Sequence, residues 1–402
     1  MKTIVVTTIF IILSTSAFAK TTLSWWQFWT DPNIKPVIEE MVSEFEKQNP
    51  DIDVELTDLT WANGHEKIVI AFASGTGPDI VELGSDWIAE FAVNGHLYDI
   101  TSDISSTKSE YAGWGMSTYN DKIYAKPWFL GTRVVFANRA LLNKAGYDST
   151  FAPVTFTQFK EAVYKIDSLD KNIYGFGSNT AEKHRLYKKF LPFFWSYGAT
   201  IFDDENRLCL VASDFAIKAL QFYKDIHDSC GYVDTQRGIE DAFLDGKIGL
   251  IISGDWLLKR IENENRKFNL VSSLIPGEKY PGRSFLGGEF LAINKASDKK
   301  EAAVKFIDFI TSPDNQVKFC KANRSANPSS KTACQDPYFA SNVHLQTFIK
   351  QMNLAKHPPV DPDWVFIEEA IEKAVEEALF GDGLPATAML EARYKIEEIK
   401  NK

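Results

Sequence analysis

Short apolar strands alternate with amphipathic helices along this chain, and that alternation leaves few folds open to it. TTLSWWQFW reads as a strand running into a turn, after which Asp31 and Pro32 open a helix with Ile34, Val37, Ile38, Met41, Val42 and Phe45 on one stripe. Asn49 and Pro50 stop that helix. IDVEL is the next strand, residues 68–73 belong to a second helix ended by the turn GTGP, and residues 79–83 form a third strand. Strands separated in this way pair in parallel through right-handed crossovers, so the chain is an α/β protein.

The pattern resets after a turn-rich stretch at 119–127. A strand at 133–137, helices at 157–168 and 214–227, the buried strand LGGEFLAIN and a helix at 300–311 form a second unit. Two or three lobes suit 402 residues, since single cores stop growing beyond about 250–300 residues. The closing helix, 364–379, has an apolar stripe of Phe366, Ile367, Ala370, Ile371, Ala374, Val375 and Ala378. Its Glu368, Glu369, Glu372, Lys373, Glu376 and Glu377 read as solvated charge.

Several functions are set aside by composition and motif. A net charge of -10 offers no basic surface for nucleic acid, so no nucleic-acid partner is expected. G-x-S-x-G, GxGxxG and Walker A signatures are missing, and the six histidines form neither H-x-H nor H-E-x-x-H. No motif therefore points to an enzyme, and no metal or cofactor is expected.

Lys2, the apolar run 4–13 and Ala17-Phe18-Ala19 have the form of a cleavable export signal, residues 1–19. Export to a periplasm would favour disulfides. Four cysteines allow three pairings, of which the two local ones, Cys209 with Cys230 and Cys320 with Cys334, are expected. The second would close a loop poor in apolar residues that carries Arg324.

Ten tryptophans exceed what a core of this size requires. Their distribution gains meaning from the segments ASGTGPDIVELGSDWIAEFAVNGHLYDIT, KPWFLGTRVVFANRALLNKAG, FFWSYGATIFDDENR, IGLIISGDW and FLGGEFLAIN. In their order and spacing these resemble the extracellular solute-binding proteins of carbohydrate ABC importers. The resemblance implies a type II periplasmic-binding-protein fold, with a ligand cleft between two discontinuous lobes. Residues 20–128 with 285–328 would form one lobe, and 129–284 with 329–402 the other. It also implies a monomer that captures a sugar or oligosaccharide and docks on membrane permease subunits.

Pyranose faces stack on aromatic rings, while hydroxyls need donors and acceptors in a dry cleft. Trp61, Trp256 and Trp364 are the stacking candidates by this resemblance, with Trp87, Trp128 and Phe129 beside them. Asp86, Arg133, Glu289 and Arg324 are the polar candidates, and Gly288 lets backbone approach the ligand. Trp114 and Trp195 are assigned to packing. Gly131 stands where the family commonly has an aspartate, which removes one acceptor for sugar hydroxyls. Within the fold a non-sugar solute such as a glycerophosphodiester is the alternative. Outside it, the alternative is a secreted carbohydrate-active enzyme.

Overall fold

The computed structural model describes residues 20–179, 182, 184–203, 208–265, 268–324 and 327–401, so the expected export signal lies outside the described residues. Two sheets carry the architecture. The first runs in the order Asn327–Pro328, Ala125–Thr132, Ser284–Ile293, Ile80–Gly84, Thr21–Gln27, Ile52–Asp58, with Ala355–Lys356 added beside the start of Ser284–Ile293. The second runs Leu270–Ser273, Val134–Asn138, Ile248–Ser253, Tyr174–Asn179, Gly231–Asp234.

The first three strands pair in parallel, Thr21 opposite Ile52 and Trp25 opposite Ile80, as the alternation requires. Ser284–Ile293 then enters antiparallel between Ile80–Gly84 and Ala125–Thr132. The strand Ala125–Thr132 occupies part of the stretch that reads as turn-rich in the sequence. Pro127 is tolerated within it because the register shifts at Glu289 and Phe290, directly opposite. The chain changes sheet between Thr132 and Val134, and again between Ser273 and Ser284.

Helices pack over both sheets by the stripes read from sequence. Lys35–Gln48 buries Ile38, Met41, Val42 and Phe45. Phe156–Asp167 starts with a capping box, in which Thr155 accepts from the Gln158 N–H and Gln158 reaches back. Ser213 caps Asp214–Cys230. Trp364–Phe380 buries Ile367, Ala370, Ile371, Ala374, Val375 and Ala378 of its expected stripe but leaves Phe366 exposed, and Glu368 and Glu372 are also buried, against the expectation of solvated charge. The neighbouring turn explains the difference. Glu372 accepts from the backbone N–H groups of His184 (3.2 Å) and Tyr187 (3.3 Å), and Glu368 holds the His184 imidazole. Among the described residues no helix is long and apolar enough to cross a membrane.

Candidate functional site

The parallel strands of the first sheet end toward the second lobe, and their carboxyl ends carry an aromatic wall. Gln27 anchors the end of its strand by donating to Asp58 (2.7 Å), and the next N–H, of Phe28, donates to Glu82 (2.9 Å). Phe28 is thereby held flat against Trp61, with ring centroids 4.2 Å apart and planes at 18°. Gly64 makes room for this stack, since a Cβ there would lie 2.3 Å from the Phe28 ring. Trp87 leans on Trp61 at 5.5 Å. Trp61 remains 45% exposed, so a buried ring supports it while part of its surface stays open.

Asp86 follows the strand Ile80–Gly84 and points across to the other lobe. It accepts from the Tyr187 hydroxyl (3.0 Å) and the Lys188 ammonium (3.1 Å). Burial pushes its pKa up, but the Lys188 charge and these hydrogen bonds outweigh burial and hold it below the usual value.

The second lobe offers Trp256 at the start of the helix Trp256–Asn263. Its indole N–H donates to Glu240 (2.7 Å), which also accepts from Gln236 (2.6 Å) and Ser253 (2.8 Å). A Cβ on Gly254 would lie 1.9 Å from this ring, so only glycine fits. The Arg133 guanidinium sits 4.6 Å from the Trp256 centroid and 5.7 Å from that of Phe285. Trp256 thus cradles Arg133 and is not an open platform.

A half-buried carboxyl, Glu289, and a fully buried one, Glu82, line the junction. Glu289 is pushed up to about 7 by burial and by Asp255, against the opposing pull of Arg133. Glu82 lies on the same face of the adjacent strand, Leu291 being its direct partner and Gly84 that of Glu289. Burial, and then the nearby Glu289, push Glu82 well above the usual range. The Gly288 carbonyl accepts from the Ser85 N–H (2.9 Å), and a Cβ at Gly288 would lie 2.3 Å from the Phe129 carbonyl oxygen. Lys189 is buried, donates to the Ile252 carbonyl (2.9 Å), and is shifted well below its ordinary value by burial.

One face of the Trp256 helix and its N-cap meets the first lobe. Asp255 accepts from Asn327 (3.1 Å), Lys259 donates to Asp31 and Asn323 (both 3.1 Å), and Glu262 pairs with Arg324 (2.5 Å). These positions follow helical spacing, so a single stripe supplies all three contacts.

The structure gathers Trp61, Asp86 and Trp87 on one side, and Arg133, Trp256, Gly288 and Glu289 near the change of sheet. Other candidates lie elsewhere. Trp128 and Phe129 are fully buried in a ring cluster with Trp25, Trp29 and Phe319. Trp364 is 1% exposed and packs edge-on against Tyr187 at 5.8 Å. All three rings fill cores and present no face to a ligand. Trp114 and Trp195 are buried, in keeping with packing roles.

Arg324 is spent on Glu262 at the rim. All four cysteines are free thiols. Cys209 and Cys230 are both buried in the same core as free thiols, so the bridge expected between them is not formed in the structure. Tyr187, Lys188 and Glu82 are missed by the sequence reading. Among the described residues no three His, Cys, Asp or Glu side chains are placed to hold a metal ion.

The profile described as bacterial extracellular solute-binding protein matches residues 31–317, well over half of the chain. The chain belongs to that family. It is similar to the maltodextrin-binding protein MdxE of Bacillus subtilis (strain 168), 25% identical over 92% of this chain and 88% of that protein. Its fold is that of an ABC transporter solute-binding protein from Thermotoga lettingae bound to α-D-tagatose, with a TM-score of 0.84, 24% identity, and 94% and 100% of the two chains covered. UgpB from Mycobacterium tuberculosis, in complex with glycerophosphocholine, also shares it, with a TM-score of 0.82, 19% identity, and 95% and 99% covered. The two lobes are thus those of the type II periplasmic-binding-protein fold.

Proposed function

We propose that this protein captures a sugar or oligosaccharide between its lobes and hands it to the permease of an ABC importer, without covalent chemistry. The observation that carries this reading is Trp61. It is a tryptophan backed flat by Phe28, open to solvent, and adjacent to the junction where Asp86, Glu289 and Arg133 converge. A pyranose stacked there would place its hydroxyls among charged acceptors and donors of both lobes, and contact with both lobes favours the closed form. The maltodextrin relative points the same way.

A glycerophosphodiester is the second reading, favoured by the Arg133 guanidinium held at the junction by the Trp256 and Phe285 rings. Co-crystallisation with the saccharide that most raises the melting temperature tests the assignment. A pyranose on Trp61 supports it, and a sugar bound away from both lobes refutes it. Product analysis after prolonged incubation with oligosaccharides would reveal turnover, which would make the protein an enzyme. Export with cleavage after Ala19, a periplasmic location and a monomeric state complete the proposal. N-terminal sequencing of the secreted chain should begin at Lys20.

A further inference from the structure

Cys320 is fully buried on the helix Pro313–Asn323, and Cys334 is half-buried in the turn Ala333–Gln335. These two segments touch on both sides of the thiols. One helical turn before Cys320, Gln316 donates to the Ser329 hydroxyl and accepts from the Ser330 N–H, both at 3.1 Å. Ser330 in turn lies one turn before Cys334, whose N–H donates to the Ser330 carbonyl (3.1 Å). Just beyond the thiols, Lys321 pairs with Asp336 at 3.0 Å. The contacts step in the same direction along both segments, and the position bracketed between them sets Cys320 against Cys334. In agreement, each segment is close enough for the Cys334 sulfur to act electrostatically on Cys320.

The chain between these cysteines carries the first lobe's half of the rim. Asn323 accepts from Lys259 (3.1 Å), Arg324 pairs with Glu262 (2.5 Å), and Asn327 donates to Asp255 (3.1 Å). Its local apolar content is small, so its position depends on those contacts and on its two ends.

We propose that Cys320 and Cys334 form an oxidation site: a disulfide between them fixes the segment that carries Asn323, Arg324 and Asn327 in the place where the second lobe meets it. The oxidant is an external disulfide, on a protein or a small thiol. The Cys334 thiolate, the more accessible, attacks one sulfur of that disulfide and expels the other as a thiolate, which takes up a proton. The Cys320 thiolate then attacks the mixed bond and expels the second thiol. Two protein thiols are oxidised and one external disulfide is reduced to two thiols.

Burial raises the pKa of both sulfurs, which makes each a poor leaving group and the finished bond slow to exchange. Cys209 and Cys230 are both buried, out of reach of an external disulfide, and stay reduced. The bond itself does not depend on the proposed ligand. Its effect on solute affinity rests on the lobe-closure reading.

The test is to refold the full chain with oxidised glutathione, alkylate it under denaturing conditions, and map the peptides without reduction. The expected result is one linked peptide pair, about 2 Da lighter than its two parts, joining Cys320 to Cys334, with Cys209 and Cys230 alkylated. Dithiothreitol should then lower the melting temperature by about 5 °C, as expected for opening a loop of this length. Cys334→Ser, at the half-buried partner, should melt like the reduced protein and ignore dithiothreitol. Alkylated Cys320 and Cys334 after oxidation, or only glutathione adducts on them, would overturn the proposal. If the bond forms yet reduction leaves saccharide affinity unchanged, the coupling to closure is wrong. The peptide map needs no solute, so it stands or falls apart from the ligand assignment.

Discussion

Lys188→Met isolates the contact that most directly joins the lobes. The Lys188 ammonium lies 3.1 Å from Asp86, and the two side chains are 21% and 11% exposed. Exposed pairs contribute at most about 1 kcal/mol, while breaking a buried pair costs about 3–5 kcal/mol. With this exposure, and with the Tyr187 hydroxyl still bonded to Asp86, the loss should be about 2 kcal/mol. The two ends belong to different lobes, so the cost falls on the closed, solute-holding form and little on the folding of either lobe. An energy of about 2 kcal/mol is a roughly 30-fold weaker Kd. Calorimetry with the tightest-binding saccharide should show it, and stopped-flow fluorescence should place the change mainly in a faster dissociation rate. Lys395→Met, on an exposed pair of the last helix, is the control and should bind like wild type. A Lys188→Met protein that binds within twofold of wild type would refute a role for the Lys188–Asp86 pair in holding the closed form.

Trp61→Ala should weaken saccharide binding by about tenfold or more with little change in melting temperature, because the ring is open and backed by Phe28. Trp364→Ala should do the reverse, destabilising by about 3–5 kcal/mol in denaturant unfolding as a buried ring leaves a cavity. Glu289 has a folded-state pKa of about 7 against an ordinary 4.5, so the folded protein holds this proton more tightly and loses stability as pH rises through that interval. Glu289→Gln should therefore melt higher than wild type at pH 8, with the gap closing at pH 5. Gly254→Ala should displace the Trp256 ring and loosen Arg133, seen as a shifted tryptophan emission and weaker binding.

The periodicities carried most of the fold, because a helix such as Lys35–Gln48 or a strand such as Ile80–Gly84 answers to local pattern. The antiparallel entry of Ser284–Ile293 was beyond that reach, since nothing within a strand states its partner. The same limit separates the tryptophans. Trp61 and Trp128 both follow or lie in strands, yet one rests on Phe28 with an open surface and the other is enclosed by Trp25, Phe129 and Phe319. Which rings enclose which depends on residues distant in sequence. Glu368 and Glu372 mislead for a related reason: their spacing gives a polar face, but the partners that bury it come from the turn at His184 and Tyr187. Asp86 was legible as a polar group at a strand end, whereas its engagement by Tyr187 and Lys188 required the second lobe to be in place.

Calorimetric titration of wild type and Trp61→Ala with a matched panel of mono- and oligosaccharides and glycerophosphodiesters decides whether a sugar is bound between the lobes on Trp61. At least one saccharide should bind saturably and one-to-one, with a negative heat-capacity change from buried apolar surface and a loss of affinity of about tenfold in the variant. Binding of a phosphodiester alone, or saccharide binding that is indifferent to Trp61, would contradict it.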